Sequence, residues 1–559
     1  MTNRILIIGG YGVFGGYLST ALLQQSEAQV FVAGRSLEKA EEYCRKHGGT
    51  PVSIDRTSLN LTDRIRDIAP DIVIDAAGPF QSPDSSPEYS VVHAALECGA
   101  HYVDLSDDAE FTAGIAQFDT VAKEKGLIIV SGASSVPGMS SAAVNDLSQG
   151  LERIIRIEST ILPGNRAPRG RSVMQAILSQ VGKPIEIQEA GQKAVVFGWS
   201  APRLERLALP DGRSLNARWS TFIGAPDLRL FPDHFGAETV HFRAGLELKT
   251  LQFGLWMLSF LTRWKLVRSL RSLAAPLLWI AKRFEPFGSD QGGMIVRVLG
   301  ETPSGQAEIR KWTLLAEAGD GPHIPTLPAR ILCDKILSGM LSAGARPCLS
   351  LFSTQEVMDS GKHLNLAAGR ATEPAAPLFK HALGDLYDVL PEQVRALHDN
   401  LDVSVWSGTS SVGVGPSRLS AIVRKLIGFP SKGSSVPVTV HMKRSGDREI
   451  WTRRFGDQVF HSILKLWGSP KSGTVTERFG PFRFVIDLQA SDANLEYPIT
   501  KGWAFGIPLP KWMLPKSQTQ ETQADGRFQF DVAIGLPLVG LLVHYKGHLQ
   551  PHEKARQTK

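Results

Sequence analysis

The chain has 559 residues, which at about 150 per domain suggests three or four domains. Its 43% hydrophobic and 21% charged content is that of a globular protein and excludes bulk disorder. With 61 basic and 55 acidic residues the net charge is +6, too mild for this length to imply a nucleic-acid partner. Four cysteines, Cys44, Cys98, Cys333 and Cys348, lack C-x-x-C spacing, and the fourteen histidines form no H-x-x-H or H-E-x-x-H pair, so reduced thiols and no metal site are expected.

The aliphatic run Arg4-Ile5-Leu6-Ile7-Ile8 breaks into glycines and resumes with helical spacing at Tyr17, Leu18, Ala21 and Leu22, which predicts strand, tight turn and helix. Within it Gly10-x-Gly12-x-x-Gly15 fits the dinucleotide fingerprint: the first glycine permits the turn, the second lets a pyrophosphate approach the backbone, and the third lets helix and strand pack closely. The free N–H groups of the helix start, around Val13 and Phe14, are expected to face the phosphates. A strand that begins by residue 4, with no basic leader or cleavable apolar region before it, predicts a cytoplasmic start.

A second β run, Gln29 to Ser36, ends where such a fold meets the adenosine ribose. NAD sites place an acid there. Here Gly34-Arg35-Ser36 offers a guanidinium and a hydroxyl, so NADP(H) is favoured over NAD(H). Helix 37–47, strand 52–54 ending in Asp55, helix 58–68, strand 71–75 and helix 86–98 continue the alternation of a parallel, doubly wound sheet. Asp55 is placed at the cofactor site, and Ala77-Gly78-Pro79 is a small-residue turn suited to lie under a nicotinamide ribose. The strands around 101–104 and 127–131 both end in polar residues, where α/β enzymes place ligands. Tyr102, Asp104 and Ser106 are the candidates for handling the proton that accompanies hydride transfer, with Asp107 a weaker one; Asp104 and Ser106 fit equally as helix caps.

These motifs together, with Ala76-Ala77-Gly78-Pro79-Phe80, residues 99–106, Ser135-Val136-Pro137-Gly138, Gly292-Gly293-Met294 and Gly321-Pro322-His323-Ile324-Pro325, resemble the saccharopine dehydrogenase-like family over roughly the first 350 residues. The resemblance implies a Rossmann domain over 1–138, an inserted α/β substrate domain over 139–321, and a return to the first domain near 322–350. It does not settle the reaction, since relatives reduce imines of amino-dicarboxylic acids or enoyl groups on lipid chains. Arg166, Arg169 and Arg171 form the dense basic loop available for an anionic substrate, and a solvated loop would look the same.

Residues 251–284 carry Arg263, Lys265, Arg268, Arg271, Lys282 and Arg283 with no acid, a charge equal to that of the whole chain. Leu251 to Phe260 is almost wholly apolar, yet too short for the about 20 residues of a membrane span. On a continuous helix Leu266, Val267, Leu270 and Leu273 would share one side and Lys265, Arg268 and Arg271 another, until Pro276 breaks the run; this predicts an amphipathic basic segment in a membrane interface or a helix with a solvated basic face.

Residues 366–377, with two prolines and no periodicity, are expected to be a linker. From 378 to 550 a helical opening gives way to short alternating runs, which predicts a mostly antiparallel β (α+β) domain. Trp451-Thr452-Arg453-Arg454-Phe455-Gly456, the Phe479-Gly480-Pro481 turn and Gly506-Ile507-Pro508 resemble a family of uncharacterised C-terminal domains, DUF4166, which brings no chemistry with it. Trp451, Phe455, Trp467, Phe482, Phe484 and Trp503 are either core residues or the wall of an apolar cavity.

The sequence thus predicts an NADP-dependent oxidoreductase acting on a C=C or C=N bond of a small-molecule or lipid-like substrate, cytoplasmic and peripheral at the inner face of a membrane. A soluble saccharopine-type amino-acid dehydrogenase and a membrane-peripheral lipid-binding scaffold with a structural nucleotide are the alternatives, and a homodimer is left open.

Overall fold

The computed structural model describes residues 2–25, 27–80, 88–168 and 170–552. The chain divides into two compact units, Met1–Pro374 and Ala375–Lys559.

In the first unit, aliphatic strands buried on both faces alternate with helices: β1 (Arg4–Ile8), α1 (Val13–Gln25), β2 (Gln29–Gly34), α2 (Leu37–His47), β3 (Thr50–Ser53), α3 (Leu61–Ile68), β4 (Ile72–Asp75), α4 (Ser90–Cys98), β5 (His101–Asp104), α5 (Ala109–Gly114), α6 (Asp119–Glu124) and β6 (Ile128–Ser131). Near-continuous runs such as Ile5-Leu6-Ile7-Ile8 are what a parallel sheet covered on both sides requires. After α7 (Ser140–Ser148) the chain builds a second sheet from β7 (Arg153–Leu162), β8 (Pro184–Glu189), β9 (Gln192–Phe197), β10 (Arg203–Ala208), β11 (Ser214–Phe222), β12 (Thr239–Leu246), β13 (Gly292–Glu301) and β14 (Ala307–Ala316), with helices α8 (Arg171–Gln180), α9 (Pro226–Phe235), α10 (Lys249–Arg263) and α11 (Ala274–Arg283). It returns through α12 (Leu327–Leu337) to β15 (Gly344–Pro347), then α13 (Thr354–Ser360) and β16 (Leu366–Pro374).

The first sheet has the order β15-β6-β5-β4-β1-β2-β3 and is parallel throughout. Its order reverses between β1 and β4, and the crevice at their carboxyl ends is where such sheets take nucleotides. The second sheet, ordered β10-β11-β12-β7-β13-β14-β16, is antiparallel except between β12 and β7. It folds back on itself. Arg203 of β10 donates to Glu158 of β7 (2.7 Å), and Arg297 of β13 donates to both Glu158 and Glu205 (2.9 Å each). The two arginines hold the buried Glu158 carboxyl well below its usual range against the cost of burial.

Two expectations are corrected here. Residues 366–374 are not linker but the edge strand β16, paired with β14 from Glu308↔Pro374 to Ala316↔Leu366. An edge strand needs no alternating pattern, and its small residues have a steric reason: a Cβ on Gly369 would lie 2.6 Å from the Pro210 ring. Residues 251–284 do not form a continuous amphipathic helix. The chain breaks at Trp264–Leu270, where Lys265 has φ +60°, and Pro276 sits in the first turn of α11, where its missing N–H costs nothing. Leu270 is buried, whereas Leu266, Val267 and Leu273 are exposed.

The second unit opens with α14 (Leu378–Leu383) and α15 (Glu392–His398) and adds α16 (Arg418–Ile427) to an antiparallel sheet of thirteen strands between Val403 and Pro551. Its core is its own, centred on residues such as Phe379, Met442, Trp451 and Val543.

Candidate functional site

The β1–α1 turn is built on glycines because the backbone itself occupies the space a side chain would need. Gly9 takes φ +80°, and the N–H groups of Gly9 and Gly10 both donate to the Ala33 carbonyl of β2 (2.8 and 3.0 Å), which fastens the turn to the neighbouring strand. A Cβ on Gly15 would lie 2.1 Å from the Gly9 carbonyl oxygen, and one on Gly12 3.0 Å from the same atom. The fingerprint therefore extends to Gly9, which sequence reasoning missed although the Gly-Gly doublet signalled it. Ser19 donates to the Gly10 carbonyl at 2.9 Å and locks α1 onto the turn. The N–H groups of the first turn of α1, those of Val13 and Phe14 among them, have no partner within the helix, as at every helix start.

At the end of β2, the Tyr11 ring fills the space a Gly34 side chain would take: a Cβ there would meet the ring at 2.4 Å. The Tyr11 hydroxyl accepts from Ser36 N (2.9 Å), and the Ser36 hydroxyl caps α2 by accepting from Lys39 N (3.3 Å). Arg35 is exposed, and among the described residues its guanidinium donates no hydrogen bond within the fold. Asp55 accepts from the N–H and hydroxyl of Thr57 (3.0 and 2.8 Å), which hold its carboxyl below the usual range, with the charges of Arg35 and Arg56 adding to the effect.

The turn after β4 is held from below. Asp75, buried, accepts from Ala77 N (2.9 Å) and lies 3.5 Å from the Arg56 guanidinium, which donates to the carbonyls of Ala77 (2.6 Å) and Pro79 (3.0 Å) and stands over the Phe80 ring. Burial pushes the Asp75 carboxyl up and Arg56 opposes the rise. Arg56 shapes the Ala77-Gly78-Pro79 platform, and no local pattern in the sequence distinguishes it from a surface arginine.

Tyr102, Asp104 and Ser106 come together at the end of β5, all fully buried. One Asp104 oxygen accepts from Ser106 N (2.9 Å), Ser131 Oγ (3.0 Å) and Gly132 N (2.8 Å), tying β5 to β6, while the other makes no hydrogen bond. Burial pushes this carboxyl up to about 7 despite those three donors. The Tyr102 hydroxyl also lacks a partner and lines a cavity of about 10 Å³ with Arg56, Asp75, Tyr89 and Phe111; burial raises the phenol well above its usual range. The Ser106 hydroxyl accepts from Asp108 N and Thr112 Oγ1 (3.2 Å each) and works as a turn cap. Asp108, not Ser106, caps α5 by accepting from Phe111 N (2.8 Å).

Later parts of the unit reach the same region. Gly170, which precedes α8, lies so close to α1 that a Cβ on it would stand 3.5 Å from Val13. His323 packs its ring 4.2 Å from that of Tyr17. Asp227, at the start of α9, accepts from Ser140 Oγ (3.0 Å) and is a second buried acid pushed up to about 7. Neither His323 nor Asp227 was singled out by pattern as chemical. Of the basic loop, Arg166 is exposed and reaches the Pro286 carbonyl at 3.4 Å, Arg169 lies outside the described residues, and of Arg171 only the backbone is described. Among the described residues no group of three His, Cys, Asp or Glu side chains could hold a metal ion.

Residues 5–130 match the family model of the saccharopine dehydrogenase NADP binding domain, and residues 390–549 match a domain of unknown function, DUF4166. No curated protein matches the chain. Among solved structures, apo saccharopine dehydrogenase (L-Glu forming) from Saccharomyces cerevisiae is 15% identical, with 66% of this chain and 100% of that one covered at a TM-score of 0.46. Biliverdin reductase in complex with biliverdin and NADP+ from Synechocystis sp. PCC 6803 is 12% identical, with 64% and 96% covered at a TM-score of 0.30. Likenesses this distant say nothing of substrate. Residues 5–130 are thus similar to a saccharopine dehydrogenase NADP-binding domain and residues 390–549 to a DUF4166 domain, which supports an NAD(P)-dependent oxidoreductase.

Proposed function

We propose that the protein is an NADP(H)-dependent reductase of a C=C or C=N bond in a hydrophobic or lipid-linked substrate, working at a membrane surface through residues 257–287. The observation that carries this reading is that the unit with the nucleotide cradle also exposes Met257 (66%), Trp264 (69%), Leu266 (67%), Trp279 (69%) and Phe287 (75%) among Lys265, Arg268, Lys282 and Arg283. Exposed apolar side chains set among cations along one segment are what an anionic lipid interface receives. The inside of α10 fits the same reading. Gln252, Ser259 and Thr262 are its buried residues, with Gln252 bonded to Leu246 N (2.9 Å) and Thr221 (3.1 Å), while Phe253, Trp256 and Phe260 run edge to face along its half-exposed side. No helix among the described residues is long and apolar enough to cross a membrane.

The residues present fit the nucleotide. Gly9, Gly10, Gly12 and Gly15 keep the turn free of side chains, the start of α1 offers its N–H groups to the pyrophosphate, and Arg35 is free to take a 2′-phosphate. When bound, NADP(H) supplies the hydride. The chain's share is to hold the platform 77–79 through Arg56 and to keep a proton below the crevice: Asp104, poised near neutrality, exchanges it, and Tyr102 stays protonated beside it. A saccharopine-type reading would ask for free guanidinium groups to meet two carboxylates; Arg203 and Arg297 are spent on Glu158 and Glu205, which leaves it to the basic loop with the exposed Arg166.

Flotation of the full chain with liposomes containing phosphatidylserine tests the reading. The wild type is expected to float, and the triple variant Trp264→Ser, Trp279→Ser, Phe287→Ser to stay in the soluble fraction with NADPH binding unchanged. A wild type that stays behind would remove the membrane from the account. Steady NADPH oxidation with a lipid extract separates a reductase from a scaffold.

A further inference from the structure

The second unit encloses a cavity that nothing in the redox reading uses. It measures about 300 Å³, the lower end of the range for small-molecule sites. Strands from both ends of the sheet order line it, Phe484 and Ile499 on one side and Thr519 and Glu521 on the other, and α16 contributes Val423 and Ile427, so the sheet curls around the space. Of the six aromatics singled out in the sequence, Trp451, Phe455, Phe482 and Phe484 line the cavity. Trp467 and Trp503 instead pair with each other (5.9 Å) beside Arg483.

The few polar groups in this apolar wall are built, not incidental. Glu521 spends Oε2 on the buried His398 (2.6 Å) and on the Tyr497 hydroxyl, which donates to it at 2.6 Å. Burial and that carboxylate raise the Tyr497 phenol, so it remains the donor. Glu521 Oε1 accepts no hydrogen bond among the described residues. Arg453 is fixed by Ser462 (2.7 Å) and Glu477 (3.3 Å) and stands over the Trp451 ring. The lining therefore holds two carboxylates, Glu477 and Glu521, and a single guanidinium already paired with one of them.

From this arrangement we propose that the second unit binds an uncharged, lipid-like molecule, whose apolar chain or ring system fills the cavity and whose hydroxyl donates to Glu521 Oε1. An anionic head would meet an excess of carboxylate in a dry wall, and a cationic head would be desolvated without a free partner other than that one oxygen. At about 30 Å³ per water-sized unit, the space takes on the order of ten non-hydrogen atoms.

The test uses the full chain and the fluorescence of the neutral probe N-phenyl-1-naphthylamine, displaced by decan-1-ol, decanoate or decylamine. Decanol is expected to displace it at concentrations at least tenfold below those of the two charged chains. Ile499→Trp and Ile534→Trp, which fill the cavity from half-buried positions, are expected to lose probe and alcohol together, while Ile507→Trp, at an exposed site, keeps both. Decanoate or decylamine matching decanol on the wild type would overturn the uncharged head whatever the variants do. Probe binding unchanged in both cavity variants, or absent from the wild type, would overturn the site.

Discussion

Replacing Asp104 by Asn tests the buried acid beneath the crevice through the pH dependence of stability. Asn keeps an oxygen for Ser106 N, Ser131 Oγ and Gly132 N and places an amide where the carboxyl has an unbonded oxygen, but it cannot ionise. The folded carboxyl titrates near 7 and an unfolded one near 3.9, so the folded state binds the extra proton between these values. A group raised in this way contributes its full stability below about pH 4 and loses it as pH rises through 7. At about 1.4 kcal/mol per unit, the wild type should lose about 4 kcal/mol over the whole window and about 3 between pH 5 and pH 8, a loss the Asn variant does not share. Asp227 adds a slope of its own that is common to both proteins and cancels in their difference. Urea unfolding of both chains at pH 5, 6, 7 and 8 reads this directly. Parallel pH profiles would mean that Asp104 is ionised throughout and would refute its role as a proton store.

Gly15→Ala forces a Cβ to within 2.1 Å of the Gly9 carbonyl; a stability loss of about 1–3 kcal/mol in thermal melts and a more than tenfold weaker NADPH titration are expected. Arg56→Ala strips the buried Asp75 of its guanidinium and unpins 77–79, at a cost of about 2–4 kcal/mol at pH 8, and of less at pH 5, where the carboxyl protonates more readily. Tyr102→Phe removes a buried hydroxyl that has no partner, so stability should change by less than about 1 kcal/mol, while turnover falls and its pH profile shifts; an unchanged profile would assign Tyr102 to packing alone.

The parallel sheet was legible in the sequence because its strands are uninterrupted aliphatic runs and its helices periodic, two patterns that burial on both faces and on one face impose. The glycine turn was legible for the same kind of reason: Gly15 is demanded by a single backbone oxygen. What escaped reading depends on distant parts of the chain. β16 is an edge strand rich in small residues, one of which, Gly369, leaves room for Pro210, so it looks like a linker. Along 251–284 hydropathy predicted one continuous amphipathic stripe, whereas the chain breaks after α10 and that helix buries Gln252, Ser259 and Thr262 and leaves its aromatics half exposed. Tyr102, Asp104 and Ser106 lie at the end of β5, fully buried, and which of their atoms are spent on Ser131, Gly132 and Thr112 follows from register between strands that sequence does not display. Arg56 carries no local signal at all, since its partners lie about twenty residues further on.

The central claim is that this fold holds NADP(H) through Arg35 and the glycine cradle, and fluorescence titration of NADPH against NADH on wild type and Arg35→Ala tests it most directly. The account predicts that NADPH binds the wild type at least tenfold more tightly than NADH, and that the substitution removes this preference and leaves NADH binding as it was. Equal binding of the two nucleotides by the wild type, or binding of neither, would contradict it.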